Sequence, residues 1–126
     1  MIKAALIVDN NRVSKWELES LAYVKDIIKI ELILSCQNTK IKRNYFKNLL
    51  YFILNLVCIK SEATKKIDLK KIYKNIENIN FISLYDKNWQ IIPKNIINKA
   101  DNKNIKLIIK FGMNLLKINN DNKHLD

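Results

Sequence analysis

Residues 2–8 read IKAALIV and stop at Asp9-Asn10-Asn11. Apart from Lys3 the run is apolar without alternation, as in a strand covered on both faces and followed by a loop. Strands of that kind belong to parallel sheets packed between helices. Downstream, Ser14-Lys15-Trp16-Glu17 has the form of a capping box, in which the Ser hydroxyl and Glu carboxylate satisfy free amides at a helix start. Trp16, Leu21, Val24 and Ile28 continue at helical spacing. Residues 30–36, rich in branched apolar side chains, predict a second interior strand.

After the polar turn 37–39, residues 43–60 are long enough for four or five helical turns, with Tyr45, Leu49, Phe52, Ile53, Leu56 and Ile59 expected toward a core. Residues 61–66 read as a loop. Residues 68–76 suit a short helix capped by Asp68, with Leu69, Ile72 and Ile76 on one side. Residues 80–85, ending FISLY, predict a third strand, and Pro93 suits the first turn of a helix reaching Ala100. Residues 105–111, IKLIIKF, predict a fourth strand closed by Gly112, the only glycine in the chain. The whole reads as one α/β domain over residues 1–126, Rossmann-like, a parallel sheet with helices on both faces. Ligands in such folds sit at the carboxyl ends of the strands, expected at residues 9–12, 36–39, 85–88 and 111–116.

Composition bounds the chemistry. With 126 residues, 48% hydrophobic and 28% charged, the chain is expected to fold as a single globular unit. Twenty-three Lys and Arg against 12 Asp and Glu give a net charge of +11. That charge has two readings. Only Arg12 and Arg43 are arginines, and Ile, Lys and Asn make up about half of the chain, the bias that AT-rich coding produces. The other reading is a selected anion-binding surface, for which the densest clusters are Lys40, Lys42, Arg43 and Lys47, then Lys65, Lys66, Lys70, Lys71 and Lys74. Aromatic residues are not interleaved with them as a single-strand stacking platform needs.

Cys36 and Cys58 lie in apolar runs without metal-ligand spacing and read as buried free thiols of a reducing, cytoplasmic setting, a disulfide being the alternative. The N-terminal apolar run is too short for a signal peptide, and the longest apolar stretch, residues 49–59, falls below the roughly 20 residues that span a bilayer. With one glycine, both the dinucleotide fingerprint and the P-loop are excluded, since each needs repeated glycines. No catalytic set and no metal site is legible. The single histidine, His124, lies near the C-terminus, where a general base is not readily held in hydrogen-bond geometry. Asp9 and Asn10, at the end of the first strand, are the candidate substrate contacts. Asp9 has a structural alternative, a loop residue bonding its own backbone amides. Trp16 and Trp89 read as core or rim aromatics.

Residues 105–117, IKLIIKFGMNLLK, resemble the fourth strand and following loop of the formyltransferase family, which includes methionyl-tRNA formyltransferase and the sugar N-formyltransferases. There a hydrophobic strand runs into a Phe-Gly-x-x-(Ile/Leu)-Leu turn. The opening AALIVDNNRVSKWELESL is similar to the family's first strand and helix, and the order of elements between agrees. The resemblance implies a fold that binds a formyl-tetrahydrofolate donor beside the fourth strand, with the loop Phe111, Gly112, Met113, Asn114, Leu115 and Leu116 holding the pterin through backbone groups. It also implies an amine as the formyl acceptor. The family's catalytic Asn, His and Asp fall beyond the loop, and residues 117–126 match no such segment; the neighbours of His124 do not fit. On this reading the chain is a truncated formyltransferase-type N-terminal domain, inactive by itself. Two alternatives stand beside it: an anion- or nucleic-acid-binding basic module, and an interaction domain that self-associates as a homo-oligomer through the apolar helix 45–59 or an open sheet edge.

Overall fold

The apolar opening run forms β1, Ile2–Asp9, buried from Ala4 to Val8. The computed structural model describes residues 1–40, 46–58 and 62–118. In chain order β1 is followed by β2 (Arg12–Ser14), α1 (Lys15–Tyr23), β3 (Ile28–Cys36), α2 (Leu49–Cys58), a 3-10 turn at Glu62–Thr64, β4 (Lys66–Asp68) and α3 (Leu69–Ile72). Then come β5 (Glu77–Phe81), β6 (Leu84–Asp86), β7 (Trp89–Ile91), α4 (Lys94–Asn102), β8 (Leu107–Lys110) and β9 (Leu115–Lys117). The protein is mixed α/β.

β1 is parallel to β3 on one side and to β8 on the other, and β3 is parallel to β5. The parallel core therefore runs β5-β3-β1-β8. The six-stranded sheet is not purely parallel, because β2 folds back antiparallel to the end of β1 and β4 pairs antiparallel with β2. The cause is local: Asn10 and Asn11 both take positive φ, 50° and 59°, which closes a two-residue hairpin between Asp9 and Arg12. Asparagine tolerates that region better than other residues with a Cβ.

Alternation along β1 sends Ala5 and Ile7 to one face and Leu6 and Val8 to the other. On the first face they meet Leu32, Leu34, Phe81, and Ile96 and Ala100 of α4. On the second they meet Ile33, Val13, Leu21 of α1 and Leu69 of α3. Burying each large aliphatic side chain is worth about 1.5–3 kcal/mol, so two cores that share one sheet dominate the stability. A bulge fixes the register of β3: Ala4 pairs with Ile30 but Ala5 with Leu32, which leaves Glu31 as the extra residue. Ile30 consequently shares a face with Ile33 while Leu32 joins Leu34. Glu31 turns outward between Lys3 (3.1 Å) and Lys29 (3.0 Å). These cations hold its carboxyl below the usual range.

The short helix expected over 68–76 ends at Ile72, which is exposed, and two further expected elements differ more. The segment 80–85 is not one strand: β5 begins at Glu77 and ends at Phe81, and residues 84–86 belong to a second sheet, β6-β7-β9. The break comes at Ser83, whose N–H and hydroxyl both donate to Asn38 Oδ1 (2.8 Å each) and draw the backbone away from the β3 ladder. The second difference is α2, which starts at Leu49. Leu49 and Ile53, expected toward a core, are exposed, together with Leu50, Tyr51 and Leu54; Phe52 is half-buried. Tyr45 and Ile59 lie outside the described residues.

Candidate functional site

The carboxyl ends of the parallel strands are Asp9, Cys36, Phe81 and Lys110. Chain connections leave β1 toward β3 and β5, then return to β8 on the opposite side of β1. The point where the order reverses therefore lies between the ends of β1 and β8, where open α/β sheets leave a crevice.

Gly112 closes that point. A Cβ at this position would lie 2.5 Å from both the Asp9 amide nitrogen and the Val8 carbonyl carbon, and 2.8 Å from Val8 Cα. Only a residue without a side chain lets the post-β8 backbone pass so close to β1. The amides of Phe111 and Gly112 both donate to the Ile7 carbonyl (2.9 and 3.0 Å). The Met113 amide donates to Asp9 Oδ1 (2.9 Å), which also accepts from the Thr39 hydroxyl (2.6 Å). Asp9 thus ties the ends of β1 and β3 to the loop, a structural role exercised through Met113 and Thr39 and not through its own neighbouring amides.

The next turn is held by Gln90, fully buried on β7. Its Oε1 accepts from the Asn114 amide (2.7 Å), while Nε2 donates to Ser83 Oγ (2.8 Å) and Thr39 Oγ1 (3.3 Å). Ser83 and Asn38 exchange three bonds, the third from Asn38 Nδ2 to the Ser83 carbonyl (2.8 Å). The buried Cys36 thiol donates to Asn38 Oδ1 (3.3 Å). Five chain segments are joined by one polar network centred on the buried Gln90, Ser83 and Cys36, where each bond is stronger than in water and each lost partner is costly.

Above the network lies an open pocket of 610 Å³ lined by Lys40, Tyr85, Lys87, Asn88, Asn114 and Leu115. Its walls are tied together: the Lys40 amide donates to the Tyr85 hydroxyl (3.0 Å), that hydroxyl donates to the Asn38 carbonyl (2.8 Å), and Asn114 Nδ2 donates to the Lys40 carbonyl (2.8 Å). The Lys40 ammonium lies 5.4 Å from the centre of the Tyr85 ring.

The structure brings the two sequence-derived patches together but divides their roles. Of Phe111 to Leu116, Asn114 and Leu115 line the pocket. Gly112 and Met113 are buried, Met113 in the core beside Phe81, with Leu116 packed against the same cluster. Phe111 packs on the other face and meets the half-exposed Trp16 edge-on at 6.3 Å between ring centres. The amides of residues 111–114 are all committed within the fold, so ligand contacts from this stretch fall to its carbonyls and to the Asn114 and Leu115 side chains. Asp9 is half-buried, and Asn10 is exposed in the hairpin turn; neither lines the pocket. Trp89 is half-exposed, an aromatic at the rim.

Sequence reading placed the third strand end at 85–88, so Tyr85, Lys87 and Asn88 lay within an expected ligand region for the wrong reason. Gln90 was missed; its only sequence signal is an amide inside the apolar run 89–92, WQII. The lysines 65, 66, 70, 71 and 74 are exposed on and beside β4, the outer strand of the large sheet. Lysines there also discourage pairing with another sheet edge. Lys42, Arg43 and His124 lie outside the described residues.

Among the described residues, no group of three or more His, Cys, Asp or Glu is arranged to hold a metal ion. No described helix is long and apolar enough to cross a membrane. No known protein family, curated protein or solved structure matches this chain.

Proposed function

We propose that this chain is the donor-binding part of a formyltransferase-like protein, in which formyl-tetrahydrofolate lies against the loop 111–116. The observation that carries the reading is the seating of that loop. Gly112 is pressed onto the end of β1, and Met113 is caught by Asp9, so the turn after the fourth parallel strand is fixed at the crevice where the strand order reverses. Two features support it further. The parallel strands stand in the order third, second, first, fourth, the order expected for the first four strands of a doubly wound sheet. The pocket over Asn114 and Leu115 has the volume of a small-molecule site.

On this reading the pterin contacts loop carbonyls and the Asn114 side chain, and the amine acceptor approaches from the open side. Formyl transfer also needs a positioned general base and a stabiliser of the developing oxyanion. Asp9 is not placed for that role: it does not line the pocket, and its Oδ1 holds Thr39 and Met113. A free thiol at Cys36 accords with a reducing, cytoplasmic setting.

The test is an NMR titration of the full chain with a stable formylfolate analogue. Saturation with amide shifts centred on residues 111–116 supports the reading. Absence of binding at millimolar analogue removes it. Incubation with a formylfolate donor and an amine is expected to give no turnover by this chain alone.

A further inference from the structure

The pocket beside the loop carries charge that the fold does not neutralise. Lys40 and Lys87 share its wall with Tyr85, Asn88, Asn114 and Leu115, and among the described residues no carboxylate lines it. Asp86, the acid next in sequence, is engaged by Lys117 at 3.4 Å. Asp9 is bonded to Thr39 and Met113. Among the described residues neither Lys40 nor Lys87 forms an ion pair.

Both lysines are placed by backbone that is itself fixed. Lys40 is held through its amide by Tyr85 and through its carbonyl by Asn114. Lys87 occupies a left-handed position, φ 54°, in the turn between β6 and β7. Among the described residues every other non-glycine at positive φ is Asn or Met, and Asn is the residue that tolerates the region best. A cleft lined by one sign of charge focuses its field on whatever enters.

We infer that Lys40 and Lys87 form an oxyanion subsite in this pocket, taking a phosphate or carboxylate group whose flat, apolar remainder lies against Tyr85 and Leu115. Lysine serves here as a point charge, and the Asn88 and Asn114 side chains add hydrogen-bonding groups. The pocket is the one used in the donor-binding reading, and the inference deepens that reading by assigning the anionic end of the ligand. A folate supplies the oxyanion as the carboxylates of its glutamyl tail; a phosphorylated acceptor supplies it as phosphate.

The experiment is a set of NMR titrations of the full chain with three probes: inorganic phosphate, a formylfolate analogue carrying its glutamyl tail, and the same analogue without the tail. Each is run at low and high ionic strength on the wild type, Lys40→Gln and Lys87→Gln. Phosphate is expected to shift the amides of Lys40, Lys87 and Asn88, with affinity falling about five- to ten-fold in either variant and at high salt. If the folate supplies the oxyanion, the tailed analogue binds about ten-fold tighter than the tail-less one, and the variants close that gap. Phosphate shifts spread over lysines 65–74 and indifferent to both substitutions overturn the subsite, because that pattern is the response of net charge alone. Binding of the tail-less analogue at residues 111–116, with no gain from the tail and no Lys87-dependent response to phosphate, overturns the subsite and leaves the donor reading standing. A Lys87-dependent phosphate response without folate binding does the reverse.

Discussion

At residue 112 a single methyl group decides the geometry of the site. Gly112→Ala places a Cβ 2.5 Å from backbone atoms of Val8 and Asp9, which cannot swing aside as a side chain would. A loss of about 3 kcal/mol is expected, read as a lower denaturant midpoint at unchanged slope. Gln90→Leu keeps the volume but strands the Asn114 amide, and is expected to cost about 2–3 kcal/mol by the same measurement. The two residues were not equally legible. A lone glycine after an apolar strand announces close backbone approach, whereas a buried glutamine reads as a surface residue until its bonds to Asn114, Ser83 and Thr39 are seen. Glu31 offers a pH signature. Lys29 and Lys3 lower its carboxyl, so the stabilisation from these pairs is present above the ordinary glutamate range and fades as pH falls through the lowered value. A carboxyl titration by NMR should give a midpoint below that of a free glutamate at low salt, moving upward as salt is added.

At the scale of elements, patterning succeeded where burial and backbone demands coincide. β1 was readable because both faces are covered, and α1 because the Ser14 amide finds the Glu17 carboxylate at 2.6 Å, as a capping box requires. Glu17→Ala should cost about 1–2 kcal/mol, because the amide it satisfies is buried. Patterning failed for FISLY because Ile82 and Leu84 look like strand interior, while the bonds of Ser83 to Asn38 divert the chain between them. The three-residue strands β2, β4, β6, β7 and β9 are too short to carry periodicity. α2 shows the opposite failure: its residues are apolar enough for a core, yet five of its described side chains are exposed. Leu50→Lys should therefore change the unfolding free energy by less than about 0.5 kcal/mol. Leu69→Ala, at a fully buried position under the sheet, should cost about 3 kcal/mol. Chemical denaturation of the two variants side by side checks the contrast.

Across the whole molecule, stability is expected to be graded outward from the central strands. β1 is paired on both sides and its residues 4–8 are fully buried, as are Leu32, Ile33, Ser35 and Cys36 of β3. Amides of these two strands should exchange with solvent most slowly, at rates set by global unfolding, while β4, β6 and β9 at sheet edges exchange through local opening. The sequence pattern supported the parallel core because each crossover is long enough to be helical. It did not reveal the antiparallel flank, since two adjacent asparagines signal a turn without saying whether the chain reverses or passes on. Net charge was equally ambiguous in the sequence. In the folded chain Lys65, Lys66, Lys70, Lys71 and Lys74 lie on and beside the open strand β4, while Lys40 and Lys87 border the pocket.

The burial of Cys36 makes the protein its own stopwatch. The thiol has no solvent exposure and is bonded to Asn38 at the junction of the network. An alkylating reagent reaches it only when the strand ends part, so in a Cys58→Ser background the labelling rate counts those excursions. Each additional 1.4 kcal/mol required to part them slows labelling about tenfold. A small molecule that settles over Asn114 and tightens the junction would therefore show itself, whatever its identity, as a thiol that takes longer to react.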